Sequence, residues 1–347
     1  MAHRKKPQRR SQPALPPPLA AVNLHAAGID VGADAHFVAV PPSDDPHPGR
    51  RFGAYTVDGE ALADGLAACG ITTVALESTG VYGIPRFALM ECRGVEGRLV
   101  DPPPGQTIKG RPTSDVHDCQ WRQRLHPFGL LAGAFRPPDH VCVLRSSLRQ
   151  RAMFLSYASQ PIQQMQKALT QMNLQLQHVV RDVTGETGIA IIRAILAGER
   201  DPMPLARRRN DRCHHDEETI AKALHGQWRE APLFALAQAV ALDDRSHEKI
   251  IECDRQIEAC LATFAECQDR DALPSGSRPR KRPHVDVRGA LHRITGVDLT
   301  AIEGIDEPTA VTIISAIGLD MGRWPPVKHF TSGLGLCPHH RVSGGKV

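Results

Sequence analysis

The chain has 347 residues, of which 41% are hydrophobic and 23% charged, and its formal net charge is +4. This length and composition exclude a wholly disordered protein and allow two domains that each bury a core. No apolar stretch approaches the about 20 residues that a membrane-spanning helix needs, so we expect no membrane association. The nine cysteines are irregularly spaced and the Pro-rich N-terminal region is unlike a secretion signal, which predicts a reducing, cytoplasmic location.

Basic residues are concentrated in three parts of the chain. Residues 1–12 hold five Lys/Arg and no acid, and residues 207–209 and 278–282 form two further clusters. Such clusters can neutralise phosphates and release counterions, which favours a nucleic-acid partner. A solvated tail and solvated loops would explain any one cluster equally well.

The N-terminal part of the chain alternates between short strand patterns and short helix patterns. Residues 1–20 are rich in Pro and Arg and are predicted to be a disordered basic tail. After them we predict a strand that ends at Asp30, strands over 37–40, 51–57, 72–76 and 96–100, and helices over 60–69, 82–93 and 114–131. Strands mixed with helices over about a hundred residues indicate an α/β layer fold.

The rest of the chain is predominantly helical in pattern. Helices are predicted over 145–182, 216–226 and 231–268, and the last has Ile250, Ile257 and Phe264 at a seven-residue repeat. This repeat predicts a helical hairpin or a coiled coil, and coiled coils often pair chains, so we expect a homo-oligomer. A Pro/Ser/Arg-rich linker over 274–284 then separates a C-terminal piece, residues 285–347.

Four acids have the placement that a two-metal phosphodiester site requires. Asp30 and Glu77 end two predicted strands, whose carboxyl ends lie side by side if the strands are adjacent. Asp115 and Asp118 are three residues apart at the start of a predicted helix and share a face. Several converging carboxylates can hold Mg²⁺ ions roughly 4 Å apart. Each acid alone could instead be a turn residue or a helix-dipole partner.

Four motifs in this order resemble the insertion-sequence transposases of the Piv/MooV invertase group. They are "GIDVGADAH", "ALESTGVYGIP", "SDVHDCQWRQRLHPFGLLAGAFRPP" and the C-terminal "HFTSGLGLCPHHRVSGGK". The resemblance implies a ribonuclease-H/RuvC-like DEDD domain over 21–144, a helical, coiled-coil region over 145–273 and a C-terminal transposase domain over 285–347. It also implies that Asp30, Glu77, Asp115 and Asp118 are the Mg²⁺ ligands. Asp34 falls outside this quartet and is expected to be a surface turn residue.

The same resemblance assigns a role to Ser343. From the residues alone, a Ser-Gly-Gly stretch is far more often a loop than a catalytic site, although His339, His340, Arg341 and Lys346 supply nearby polar and cationic groups. The resemblance implies that Ser343 is a nucleophile that attacks a DNA phosphodiester polarised by Mg²⁺. It further implies an element-encoded structured RNA that guides the choice of target DNA.

The segment Ile302–Ile317 resembles a helix-hairpin-helix, a motif that directs backbone N–H groups toward a DNA phosphate. Asp306 replaces the usual second glycine and Glu307 follows it. Two acids there stabilise the helix but repel phosphate, so we expect a packing element in a small, mostly helical domain.

Two departures from the family pattern bear on activity. The chain stops at Val347, four residues after Ser343, where the family continues, so we expect a C-terminally truncated transposase domain. Arg122 also takes a position that is normally apolar. These departures leave open a catalytically inactive nucleic-acid-binding remnant.

An ATPase of the actin/sugar-kinase type would fit "GIDVGAD" locally, but its second phosphate hairpin and its adenosine site are not found in the sequence.

Overall fold

The computed structural model describes residues 20–77, 80–100, 114–131, 133–269, 273 and 285–336. The chain divides into two compact units, with the boundary between Arg136 and Pro137. Among the helices of these ranges, none combines the length and the apolarity that crossing a bilayer requires.

The first unit is built on a mixed five-stranded sheet. Its strands are β1 Ala26–Val31, β2 Ala35–Ala39, β3 Gly49–Gly53, β4 Thr73–Glu77 and β5 Glu96–Val100. The spatial order is β3-β2-β1-β4-β5, in which β1 is antiparallel to β2 and parallel to β4, and β4 is parallel to β5. The predicted α/β class is confirmed, and this sheet is compatible with a ribonuclease-H-like domain.

Helices cover both faces of the sheet. On one face, α1 Thr56–Ala68 and α2 Gly83–Cys92 bury side chains such as Leu62 and Met90 against Ile29 and Leu76. The opposite face carries Gly28, Asp30 and Ala75, because side chains alternate along a strand. Helix α3 Asp115–Leu125 packs on this second face against β1 and β2.

Several predicted element ends in this unit differ from the structure, and two of the differences have local reasons. The strand predicted over 51–57 ends at Gly53, because Asp58 accepts a hydrogen bond from the backbone N–H of Tyr55 at 3.2 Å and caps α1 at its start. The helix predicted over 114–131 ends at Leu125, and a short 3-10 helix, His126–Phe128, follows it. Pro127 disfavours a continued α-helix, and Gly129 closes the turn with a φ of 66°.

Two 33-residue helices form the frame of the second unit, α4 Asp139–Gln171 and α9 Glu230–Ala262. They are antiparallel, since Arg151 pairs with Asp254 while the carbonyl oxygen of His140, near the start of α4, accepts a contact from the Cys260 thiol. The two helices thus pair as a helical hairpin within the chain, which is one of the two arrangements that the seven-residue repeat left open. The helix predicted over 145–182 ends at Gln171, where Asn173 takes a left-handed φ of 56°.

Each end of this hairpin carries its own hydrophobic core. At one end, Leu169 and Leu236 pack with the short helices α5 Leu176–Val179, α6 Glu186–Leu196, α7 Pro202–Ala206 and α8 Glu217–Ala223. At the other end, Leu144 and Ile257 pack with α10 Val287–Thr295 and α11 Glu307–Ile317. A last helix in the described ranges is α12 Val327–Gly333.

Within Ile302–Ile317, a turn at Gly304 leads into the single helix α11, and the preceding helix α10 already ends at Thr295. Asp306 accepts hydrogen bonds from the backbone N–H of Thr309 at 2.9 Å and from its hydroxyl at 2.6 Å. Val311 and Ile314 of α11 lie in the core. Both observations support a packing role for this segment.

Candidate active site

The two strand-end acids lie next to each other in the sheet. Parallel β1 and β4 pair with Ile29 opposite Leu76, which brings Asp30 and Glu77 to neighbouring positions at the carboxyl ends of these strands. Their side chains are 17% and 16% exposed. The structure therefore brings together two of the four acids singled out in the sequence, at the edge of the sheet where α/β proteins commonly bind ligands.

The other two acids lie in the first turn of α3. The Ser114 hydroxyl accepts a hydrogen bond from the backbone N–H of His117 and caps this helix, so that Asp115 and Asp118 sit near its positive end. Asp115 is exposed and Asp118 is half-buried. Both carboxylates are near enough to Asp30 for their charges to raise its pKa. Asp30, Asp115 and Asp118 thus act on one another electrostatically, and Glu77 is connected to Asp30 through Arg122.

Arg122 lies between the two strand-end acids. This residue is on the buried face of α3, and its side chain is only 2% exposed. Its Nη1 donates a hydrogen bond to Oδ1 of Asp30 at 3.0 Å, and its Nη2 pairs with Oε2 of Glu77. One guanidinium group therefore bridges two carboxylates that come from different strands.

Burial is the largest cause of the pKa shifts of the groups around this bridge. Burial raises the pKa of Asp30, and the Arg122 guanidinium opposes that rise. Burial lowers the pKa of Arg122, which the charge of Asp30 counteracts. Burial, with a smaller contribution from Asp30, raises the pKa of the Cys119 thiol to about 12. The pair of Arg122 and Asp30 is thus a partly desolvated ion pair, whose charges depend on each other.

The four acids do not fit a divalent metal while Arg122 lies between them. Asp30 and Glu77 direct carboxylate oxygens to the guanidinium, which already supplies a positive charge at the position where they converge. Among the described residues, which include all four acids, no three His, Cys, Asp or Glu side chains are grouped closely enough to hold a metal ion. The Mg²⁺ site predicted from the sequence stays a prediction.

Arg122 stands out in the sequence only as a departure from the family pattern, and its contacts with Asp30 and Glu77 were not predicted. The available signal was helical spacing. Arg122 follows Asp118 by four residues and Asp115 by seven, which puts all three on one face of α3. An arginine on the same helical face as two predicted metal ligands is positioned to enter their site.

Several other predicted functional residues cannot be placed. Ser343 and the neighbouring His339, His340, Arg341 and Lys346 lie outside the described residues, as do the basic clusters at 1–12 and 278–282. The third basic cluster follows α7, where Arg207 and Arg208 are exposed and Arg209 is half-buried, 4.0 Å from Glu217. Asp34 is exposed beside the turn between β1 and β2, as expected of a surface residue.

The C-terminal part of the chain resembles known transposases. Residues 296–347 match the model of the transposase IS116/IS110/IS902 family. The matched segment includes α11, α12 and the position of Ser343. Among curated proteins, none matches this chain. The family match supports an insertion-sequence transposase, a class of protein that binds DNA.

Proposed function

We propose that this chain is an insertion-sequence transposase that cleaves and rejoins DNA strands. The observation that carries the proposal is the family match over residues 296–347. The sheet of the first unit supports it, because Asp30 and Glu77 end adjacent parallel strands and the acids of α3 lie on the same side. On this proposal, Asp30, Glu77, Asp115 and Asp118 form the phosphodiester site, and Mg²⁺ is the cofactor to be tested.

The proposed nucleophile is Ser343. Its hydroxyl oxygen would form a bond to the DNA phosphorus while the bond from phosphorus to the leaving deoxyribose oxygen breaks, and the serine proton would end on that oxygen. The freed hydroxyl of another strand could then attack the phosphoserine, form a new phosphodiester and release the serine. The covalent link preserves the bond energy, so that rejoining needs no external energy source.

Two further parts of the proposal concern partners. We propose a structured guide RNA, for which the exposed arginines after α7 offer phosphate contacts. We also propose a homo-oligomer, two copies of which would cut the two ends of a DNA element together. The guide RNA rests on the resemblance and on the basic clusters, whereas the homo-oligomer rests on the seven-residue repeat, which is typical of coiled coils that pair chains.

A second candidate function is nucleic-acid binding without strand cleavage. The observation that favours it is the ion pairing of Arg122 with both Asp30 and Glu77. A site whose two central carboxylates are bound to an internal cation resembles a structural salt bridge more than a reactive centre. The surface arginines would keep their role in either case.

Strand cleavage distinguishes the two candidates. The substrate is plasmid DNA carrying the genomic sequences that flank the gene for this chain, incubated with Mg²⁺ or Mn²⁺. We expect cleavage by the parent protein and its loss in Asp30→Ala and in Glu77→Ala, whereas Asp34→Ala, an exposed acid in the same unit, cleaves as the parent does. Cleavage that persists in both site variants would rule out the acidic site.

A separate experiment examines the serine. Denaturing gels should detect a covalent protein–DNA adduct with the parent protein and none with Ser343→Ala. An equal yield of adduct from both proteins would remove Ser343 from the proposal and leave the acidic site to be judged by the first experiment.

A further inference from the structure

The guanidinium of Arg122 occupies the space between the carboxylates of Asp30 and Glu77. Its side chain is 2% exposed, whereas the two acids are 17% and 16% exposed. The Nε atom of Arg122 is buried and has no hydrogen-bond partner in the described part of the chain. Arg122 therefore gives up hydration and one hydrogen bond, and the two acids are what compensates for that loss.

The backbone of α3 keeps Arg122 in this position. Gly28 of β1 lies directly under the helix, and a Cβ added to Gly28 would stand 2.9 Å from Cβ of Arg122 and 2.5 Å from the backbone nitrogen of Gln123. Cys119 and Gln123, on either side of this contact, are buried. The buried face of α3 thus holds the helix close to β1, and the Arg122 side chain extends from this backbone to the two acids.

We propose that Arg122 is a built-in countercation that competes with a divalent metal ion for Asp30 and Glu77. The inference deepens the proposed function and rests on it, because it assumes that these acids form a metal-binding phosphodiester site. The metal-competent state is then the fraction of molecules in which Arg122 has left the acids. The apparent affinity for the metal falls in proportion to that fraction.

The charge of the site gives the reason for competition. A guanidinium and a divalent cation both need the oxygens of Asp30 and Glu77, and the two cations repel each other at such short range. The arginine has the advantage of being tethered, which makes its effective concentration high. A divalent ion would have the higher charge, and the charges of Asp115 and Asp118, which act on Asp30, would also favour it.

The test compares Mn²⁺ binding by the parent protein and by Arg122→Leu, both as the full chain. Electron paramagnetic resonance reports free Mn²⁺, and thermal melting with and without Mn²⁺ gives a second measurement that needs no DNA cleavage. We expect Arg122→Leu to bind Mn²⁺ about 10-fold more tightly or more, because its carboxylates have lost their tethered cation. We also expect its melting temperature to rise with Mn²⁺ more than that of the parent.

Matched variants control for charge and fold. Arg122→Lys keeps a cation at the position and should retain most of the competition. Arg93→Leu removes a surface partner of Asp64, at 2.6 Å, and should bind Mn²⁺ as the parent does. If Arg122→Leu does not fold, Arg122→Gln replaces it, since its amide can still donate a hydrogen bond to one acid.

The outcomes separate this inference from the proposed function. Equal Mn²⁺ affinity in the parent and in the neutral Arg122 variants would overturn the competition and leave the acidic site intact. Absence of Mn²⁺ binding from all the folded proteins would overturn both, because the acids would then hold no metal even without a competitor.

Discussion

Gly28 of β1 and Arg122 of α3 are in direct apposition, since a Cβ on the glycine would stand 2.9 Å from Cβ of the arginine. The absent side chain lets α3 approach the sheet closely enough for Arg122 to reach the ends of both β1 and β4. Asp30 lies two residues further along β1 on the same side of the strand. One glycine therefore sets the distance between the helix that carries two predicted site acids and the strands that carry the other two.

We predict that Gly28→Ala destabilises the first unit by about 1–3 kcal/mol, since the new methyl group would meet the Cys119 carbonyl oxygen and the Gln123 nitrogen and force α3 away from the sheet. Urea unfolding measures this change. Gly49→Ala is the matched control, because a Cβ there makes only an ordinary contact of 3.7 Å with Gln120. Equal stability of the two variants would contradict the close packing of α3 on β1.

His126 is a second buried polar residue on this side of the sheet, with no exposed surface. The Thr73 hydroxyl donates to the carbonyl oxygen of Glu96 at 3.1 Å, so the 3.0 Å contact of Thr73 with Nε2 assigns the ring proton to that nitrogen. Burial, reinforced by the charge of Arg98, lowers the pKa of His126 to about 4 from its ordinary value of 6.5. The folded state therefore holds a neutral imidazole.

We predict that the first unit loses stability as the pH falls from about 6.5 toward 4. In this window the unfolded state binds a proton on His126 that the folded state does not, so stability rises with pH, by up to about 3 kcal/mol in total. Urea unfolding at a series of pH values measures the slope. His126→Gln should unfold more easily at pH 7 but with a smaller slope, whereas His25→Gln, at an exposed position, should keep the parent slope. A parent slope in His126→Gln would contradict this assignment.

The strands and helices of the first unit were predictable because their signals are local. Residues 96–100 form β5 as expected, and the strand predicted over 72–76 is Thr73–Glu77. For Thr73–Glu77, an apolar run between polar residues is enough to locate the strand. The end of β3 was not predictable from composition, because the β-branched Thr56 and Val57 favour a strand while the cap from Asp58 starts a helix.

The location of the four acids was easier to predict from the sequence than the ion pairs that Arg122 makes with two of them. The strand-end placement of Asp30 and Glu77 follows from strand order, and the shared face of Asp115 and Asp118 follows from helical spacing. The pairing of Arg122 with Asp30 spans 92 residues of sequence and exists only because α3 packs on β1 beside β4. No local sequence pattern predicts this long-range contact. Arg122, which in the sequence only departs from the family pattern, therefore lies unexpectedly at the centre of the candidate site.

The basic cluster after α7 offers a prediction about nucleic-acid binding that is independent of the acids. Arg207 and Arg208 are exposed, whereas the nearby Arg209 lies 4.0 Å from Glu217 and is half-buried. Exposed arginine side chains can adjust their position along a phosphate backbone, and each phosphate contact releases a counterion. These two residues are therefore the part of this cluster that we expect to contact DNA or RNA.

We predict that the double variant Arg207→Ala, Arg208→Ala binds duplex DNA more weakly than the parent at every salt concentration. The slope of log affinity against log salt should decrease by about 0.9 for each lost contact, or by about 2 in total. Fluorescence anisotropy over a series of salt concentrations measures both quantities.

Arg245→Ala is the control, since it removes an exposed arginine that pairs with Glu248 at 2.7 Å. If the double variant and the control have the parent's slope, the cluster after α7 is a solvated loop. Loss of affinity without a change of slope would contradict phosphate contact specifically, because an interaction with the bases or a change of fold releases no counterion.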